Sequence, residues 1–267
     1  MDPMLNIGIK AVRLASKVIL QSIDRVDQLD IQSKGRNDFV TQVDKKAEEL
    51  IIETILAAYP DHQILAEESG KSGQSERRSQ YQWIIDPLDG TTNYLHQYPV
   101  FTISLAIMEK GQLIGAIVYD PTRDEMFTAI RGKGAQLNDR RIRASQTPNF
   151  ASALIGTGMP DKDMKYLAPW TKSFQMLAPH VNGIRRSGSA ALDLAYVACG
   201  RFDGFWEYGL STWDLAAGVL LIQEAGGLVS DTEGKQNMLE TGHIIAGNTK
   251  LFSKLQVIVK EHAKGIS

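Results

Sequence analysis

Trp83-Ile84-Ile85-Asp86-Pro87-Leu88-Asp89-Gly90-Thr91-Thr92-Asn93 is the stretch from which the rest of the chain can be read. Three large apolar residues in a row predict a buried strand, and that strand delivers two aspartates three residues apart. Pro87 stiffens the following turn, and Gly90 permits close approach of the backbone. Two readings fit this segment. In one, carboxylates gather metal ions while the next amides point at an anion; in the other, the segment is a β-turn with a helix cap.

Outward from this segment the apolar pattern changes twice. Before it, Ile9, Val12, Ile19 and Ile23 recur at helical steps, and a loop is expected over residues 34–38. Thr41 and Asp44 then form a capping-box pattern with Asp in place of Glu. Val43, Ala47, Leu50, Ile51, Ile55 and Ala58 continue a helix that Pro60 ends. Asp44 thus reads as a first-turn cap that complements the helix dipole. Short apolar runs at residues 64–66, 100–108, 113–119 and 126–130, separated by turn signals, predict an antiparallel sheet. Beyond a boundary near residues 140–150, helices are expected over 163–178, 190–199, 213–225 and 250–262. Strands are expected over 153–155, 205–207, 228–230 and 244–246. The result is a layered α+β architecture.

The chain has 267 residues, with 29 Lys+Arg against 31 Asp+Glu, 43% hydrophobic and 22% charged residues. That composition is globular, and the length fits one large domain or two closely packed halves at roughly 150 residues per domain. The net charge of −2 lacks the basic surplus that general nucleic-acid binding requires. A single cysteine, Cys199, excludes an internal disulfide and points to a reducing cytoplasm. Lys10, Arg13 and Lys17 interrupt the first apolar stretch, so neither a signal peptide nor a membrane span is expected.

Several catalytic templates fail on spacing. A phosphate-binding loop ending at Gly70-Lys71-Ser72 would need glycine where Leu65 stands, and a dinucleotide fingerprint from Gly132 would need it at Leu137. His62, His96, His180, His243 and His262 show no paired zinc-ligand spacing, and no Gly-x-Ser-x-Gly elbow occurs. Haloacid-dehalogenase-type phosphatases space their aspartates by two rather than three. Cys199 lies in an apolar helical stretch and reads as a packed thiol. Arg185-Arg186, and Lys71 with Arg77-Arg78, read as solvated surface.

Two more acidic features stand beside the opening motif. Ala66-Glu67-Glu68-Ser69 ends a short apolar run, and Trp213-Asp214 opens a later helix. With Lys34-Gly35, Asp38-Phe39-Val40-Thr41, Gly188-Ser189-Ala190-Ala191 and Glu207, these segments resemble the inositol monophosphatase family, nearly end to end and in the family's order. The run from Arg185 to Leu194 is most similar to bacterial members of the extragenic-suppressor type. Ala66 and Tyr94 depart from the usual Gly and Phe, and neither position is a ligand.

The resemblance implies a layered αβαβα sandwich of the inositol monophosphatase / fructose-1,6-bisphosphatase type. Residues 1–145 would carry the antiparallel sheet and most ligands, residues 146–267 the polyol contacts, and both would form one compact catalytic unit. It implies that Glu67, Asp86 and the Leu88 carbonyl hold one Mg²⁺, that Asp86, Asp89 and Asp214 hold a second, and that a weaker third shares Glu67. Mn²⁺ is the natural substitute. Thr91 would position the attacking water with Glu67, and Asp44 would support Thr91. The Gly90 and Thr91 amides would receive phosphate oxygens. Asp89, Ala190 and Glu207 would contact polyol hydroxyls, with Gly188 and Ser189 beside them. The implied reaction is hydrolysis of myo-inositol monophosphate, with lithium inhibition, a homodimer, and association with RNA polymerase or antitermination factors. Two carboxylates about 5 Å apart repel by roughly 3 kcal/mol at an effective dielectric near 20, so this acid cluster requires cations.

Overall fold

The computed structural model describes residues 2–28, 31–35, 38–72, 79–160 and 163–263. The first layer is helical: α1 (Pro3–Ser22) and α2 (Gln42–Ala58) pack together. Asp2 caps α1 by accepting from the Met4 and Leu5 amides, and Thr41 with Asp44 forms the expected capping box on α2. α1 stops one residue short of Ile23, which opens a 3-10 turn over Ile23–Gln28. The loop expected over 34–38 is instead part of a hairpin of β1 (Ile31–Gly35) and β2 (Asp38–Thr41), because β2 pairs back antiparallel onto β1. Arg36 and Asn37 between them lie outside the described residues, as do Arg77 and Arg78.

Layer two is an eight-stranded sheet. Its strands are β3 (Gln63–Ala66), β4 (Gly70–Ser72), β5 (Tyr81–Asp89), β6 (Thr102–Glu109), β7 (Gln112–Asp120), β8 (Glu125–Ile130), β9 (Gly134–Leu137) and β10 (Arg140–Arg141). They lie in the order β10-β9-β8-β7-β6-β5-β3-β4. Neighbours are antiparallel except β3 and β5, which run parallel with Ala66 opposite Ile85. That pair matters most, because it brings the carboxyl ends of both strands, and so Glu67 and Asp86, to the same edge. A five-residue helix α3 (Thr91–Leu95) follows β5. β6 begins at Thr102 rather than at Val100, whose carbonyl is taken by Asn93 instead of a neighbouring strand.

The second sheet contains β11 (Leu154–Thr157), β12 (Gly183–Arg185), β13 (Gly204–Glu207), β14 (Leu228–Ser230) and β15 (Ile244–Gly247), in the order β12-β11-β13-β15-β14. Between the sheets lie α5 (Ala190–Ala198) and α6 (Thr212–Glu224). α4 (Leu167–Leu177) and α8 (Phe252–His262) cover the far face, and α7 (Met238–Thr241) leans on α6. The 163–178 helix starts as a 3-10 turn over Met164–Tyr166, with the Asp163 side chain accepting from the Lys165 amide. The order α, β, α, β, α is the layered architecture expected from the sequence.

Three buried clusters fill the gaps between layers, and strand alternation assigns residues to them. On β5, Trp83 and Ile85 face α1 and α2, whereas Ile84 faces α5 and α6. On β13 and β15, Phe205, Ile244 and Ala246 turn to the middle layer, while Trp206 and Ile245 turn to α4 and α8. Both faces of each sheet are covered, which is why the strands read as unbroken apolar runs. Within the middle layer α5 and α6 touch at Gly218, where a Cβ would lie 2.5 Å from the Leu194 Cβ. Because α6 also carries Asp214, this crossing sets the depth of one site carboxylate. Gly218→Ala is therefore expected to destabilise the protein by about 1–3 kcal/mol through overpacking, despite alanine's better helix propensity. Urea unfolding measures this, and an unchanged or higher midpoint would refute it.

Candidate active site

β5 ends in a bulge. Asp86 pairs with Ser104 and Asp89 with Thr102, so three steps on β5 face two on β6. The extra residue falls at Pro87-Leu88, where proline has no N–H to give the ladder. In a regular strand residues three apart face opposite sides. The bulge cancels that, and ligand atoms of Asp86 and Asp89 come within 4.8 Å of each other and of Asp214. The Leu88 amide donates to Asp86 Oδ1 at 2.9 Å. Gly90 then turns the chain at φ 98°, and a Cβ there would lie 3.0 Å from the Val100 carbonyl oxygen and 3.2 Å from that of Gly188. Only glycine fits without pushing those segments away.

Each remaining part is tied to this bulge. Asp89 Oδ2 accepts from Ser189 Oγ at 2.6 Å and from the Ala191 amide at 2.7 Å, so the first turn of α5 is fastened to β5. Asn93 Nδ2 donates to the Val100 and Ser187 carbonyls at 2.8 and 2.9 Å, stapling α3 to the segment before Gly188. Asp214 Oδ2 accepts from the Ser211 amide at 2.7 Å, so the same carboxylate caps α6 and joins the acid cluster. Asp44 works likewise. Its Oδ2 accepts from the Thr41 amide and hydroxyl, and its Oδ1 lies 3.1 Å from Thr91 Oγ1, which is also 3.0 Å from the Leu88 carbonyl oxygen. Asp44 is thus both the expected cap of α2 and a partner of Thr91.

The resulting cleft has about 130 Å³ of open space. Every residue the sequence places at the site lines it except Asp44, which stands behind Thr91: Glu67, Asp86, Leu88, Asp89, Gly90 and Thr91 from the first half, with Gly188, Ser189, Ala190, Glu207 and Asp214 from the second. The Glu67 amide donates to the Ile85 carbonyl at 3.1 Å, and its carboxylate shares a hydrogen bond with Asp86. Glu207 rests on Gly158, where a Cβ would come within 1.8 Å of Glu207 Oε1.

Sequence reasoning missed four residues here. Gly158 makes room for Glu207. Asp193, 2% exposed on α5, lines the cleft with Oδ1 lacking a hydrogen-bond partner. Arg186, expected as solvated surface, lines the cleft, and its positive charge tempers the carboxylates of Asp193 and Glu207. Glu48, 3% exposed, accepts from the Glu68 and Ser69 amides. Its signal was legible as an acid one helical turn after Asp44, on the buried face. Cys199 stays outside the cleft, donating to the Tyr196 carbonyl, and burial pushes its thiol up. His62 and His243 serve as acceptors, for Trp83 Nε1 and the Gly209 amide.

The electrostatics follow from this crowding. Burial, then the charges of Glu67, Asp89 and Asp214, push the Asp86 carboxyl well above its ordinary range. Burial lifts Asp89 from 3.8 to about 6 against the pull of its Ser189 and Ala191 donors. Burial and the Asp193, Asp214 and Asp89 charges raise Glu207, and burial raises Asp44. Burial likewise takes Asp193 up to about 8. A cluster of buried oxygens with no nitrogen or sulfur donor suits hard divalent cations of the Mg²⁺ and Mn²⁺ class, and cations remove the repulsion that raises these groups.

A pH dependence follows. For Asp89 the folded pKa lies above the unfolded one, so its contribution to the stability of the metal-free protein is fully present below about 3.8 and is lost as pH rises through about 6. Added Mg²⁺ is expected to raise the melting temperature most above that range and little below it. Asp86→Asn is expected to stabilise the metal-free protein and to shrink the Mg²⁺ increment. Thermal unfolding with EDTA and with Mg²⁺ across pH checks both, and an increment independent of pH contradicts the argument.

The sequence profile of the inositol monophosphatase family matches residues 1–263. The Nus factor SuhB of Pseudomonas aeruginosa is 50% identical over 264 residues, 98% of this chain and 97% of that protein. The solved extragenic suppressor protein suhB of Bartonella henselae is 41% identical and superposes with a TM-score of 0.93, covering 99% of this chain and 100% of that one. The inositol monophosphatase of Anabaena is 39% identical with a TM-score of 0.84, covering 96% and 95% of the two chains. Bulge, acid cluster, capped helices and full-length likeness agree: the chain belongs to the inositol monophosphatase family.

Proposed function

We propose that this protein is a Mg²⁺-dependent phosphomonoesterase that hydrolyses myo-inositol monophosphate to inositol and phosphate. The observation that carries this reading is the cluster of buried Asp86 with half-buried Asp89 and Asp214, beside a threonine hydroxyl anchored on Asp44. Glu67, Asp86 and the Leu88 carbonyl would hold one cation, and Asp86, Asp89 and Asp214 a second. A third would share Glu67, and Mn²⁺ could substitute. When bound, such cations supply charge neutralisation, a more acidic attacking water and relief for the leaving alkoxide.

The chain's own residues do the rest. Thr91 Oγ1, which donates its own proton to Asp44 or Leu88, accepts from the attacking water while Glu67 takes the water's other proton. The water oxygen adds to phosphorus as the bond to the polyol oxygen breaks, and the alkoxide takes a proton from solvent. The Gly90 and Thr91 amides receive phosphate oxygens at the start of α3. Asp89, Ala190 and Glu207 contact polyol hydroxyls, with Gly188 and Ser189 shaping the turn beside them. Residues 1–145 and 146–267 act as one catalytic unit, because ligands from both converge in one cleft. Lithium inhibition, a cytoplasmic setting and a homodimer belong to the same reading. Light scattering that gives a one-chain mass at every concentration and Mg²⁺ level would overturn the dimer.

A second reading, in which the protein serves transcription antitermination through RNA polymerase or its factors, is favoured by the name Nus factor carried by the 50% identical relative. One variant separates the roles. Asp89→Asn is expected to lower kcat for inositol monophosphate by about a thousandfold or more, equivalent to several kcal/mol of transition-state stabilisation. Phosphate release from inositol monophosphate, fructose 1,6-bisphosphate, nucleotide 3′-phosphates and histidinol phosphate, with and without Mg²⁺ and Li⁺, checks this. No metal-dependent release from any of them defeats the enzyme reading. Full complementation of a deletion strain by the inactive variant would assign the cellular role to partner binding.

A further inference from the structure

Glu48 is a carboxylate kept in the interior on two backbone amides. It lies on α2 at 3% exposure, surrounded by a helix face that otherwise buries Val43, Ala47, Ile51 and Ile55. A buried charge is costly unless its oxygens are hydrogen-bonded. Both are, and by one short turn: the Glu68 amide donates to Oε2 at 2.9 Å and the Ser69 amide to Oε1 at 2.9 Å. That turn joins β3 to β4 and carries Glu67 into the cleft. On the other side the Glu67 amide is held by the Ile85 carbonyl. The turn is thus fixed at its start by β5 and at its end by α2.

Why such a clamp matters follows from the connectivity. Glu67 enters the cleft from a three-residue turn between β3 and β4, so the aim of its carboxylate depends on how that turn is held. Charge-assisted hydrogen bonds from two successive amides to one carboxylate hold it. Asp44 stands one helical turn earlier on the same face and holds Thr91. One rigid helix therefore references both the hydroxyl and the carboxylate that flank the reacting water.

We propose that Glu48 is a positioning residue for Glu67, holding the 67–69 turn so that the carboxylate is in place for divalent cations; this rests on the metal-binding reading of Glu67. Manganese is the probe, with binding to metal-stripped protein followed by electron paramagnetic resonance. Glu48→Gln keeps the size of the side chain but turns one acceptor into an amide donor that faces an N–H. Its Mn²⁺ affinity is expected to fall about 10- to 100-fold, the range for residues that orient metal ligands. Glu48→Asp keeps the charge and withdraws the carboxylate by one methylene, and it serves where Glu48→Gln does not fold. A fall of the same order there ties the effect to the clamp rather than to long-range charge. A folded variant whose Mn²⁺ titration superimposes on the parent's overturns the proposal, even if its melting temperature in EDTA has dropped. Wild-type protein that binds no Mn²⁺ overturns the metal reading itself, and the proposal with it.

Discussion

Mutual repulsion among buried carboxylates is the constraint around which the rest of the molecule is arranged. Asp86, Asp89 and Asp214 come from two distant parts of the chain, and their ligand atoms lie within 4.8 Å of one another. Left to themselves such groups would separate or protonate, and the upward displacement of Asp86 and Asp89 records that tendency. The five layers hold them together by apolar packing in which the acids take no part. Trp83, Ile84 and Ile85 bury the strand before the first aspartate, and Leu215 to Ile222 bury the helix behind the last. Core burial of this kind contributes the stability that the site consumes.

The acids are also economical in their use of oxygens. Asp44 and Asp214 each cap a helix with one oxygen; the other oxygen of Asp44 holds Thr91, and the Asp214 carboxylate joins the acid cluster. Asp89 binds the first turn of α5 in the same manner. A carboxylate at a helix start gains from the dipole and from orphan amides, so these positions hold negative charge at lower cost than a strand interior would. Helix starts thereby become the mounting points of the site. The parallel pairing of β3 with β5 does the equivalent job for Glu67, by bringing two strand ends to one edge.

How far the sequence reveals this depends on the range of the interaction. The capping boxes at Thr41 and Ser211 involve residues three apart, and the capping pattern at Thr41 and Asp44 is legible from pattern alone. The run from Trp83 to Asn93 likewise announces strand and turn, since Pro87 and Gly90 each have a local steric reason to be there, while the bulge appears only against β6. β1, β2, β4, β9, β10 and β12 go unrecognised because two- to five-residue strands carry too little periodicity and are held by partners elsewhere. The site residues named from the motifs come together at the cleft, with Asp44 behind it. The contributions of Arg186, Asp193, Gly158 and Glu48 are not visible in the sequence, because each acts on something remote: a carboxylate on another strand, an open cleft, or the amides of a turn some twenty residues away. Glu48 stands one helical turn after Asp44 on the buried face, but the turn it holds comes into view only in the structure.

Gly158 gives the substrate end of the cleft an unusual kind of adjustability. The carboxylate of Glu207 occupies the volume where a side chain at 158 would begin, and it is the mobile tip of that residue, not backbone, that stands in the way. Any side chain at 158 would swing Glu207 aside while leaving the β5 bulge, Asp214 and the α2 clamps untouched. A change at position 158 would therefore reshape that end of the cleft through one side chain, while Asp86, Asp89 and Asp214 keep the hydrogen bonds that place them.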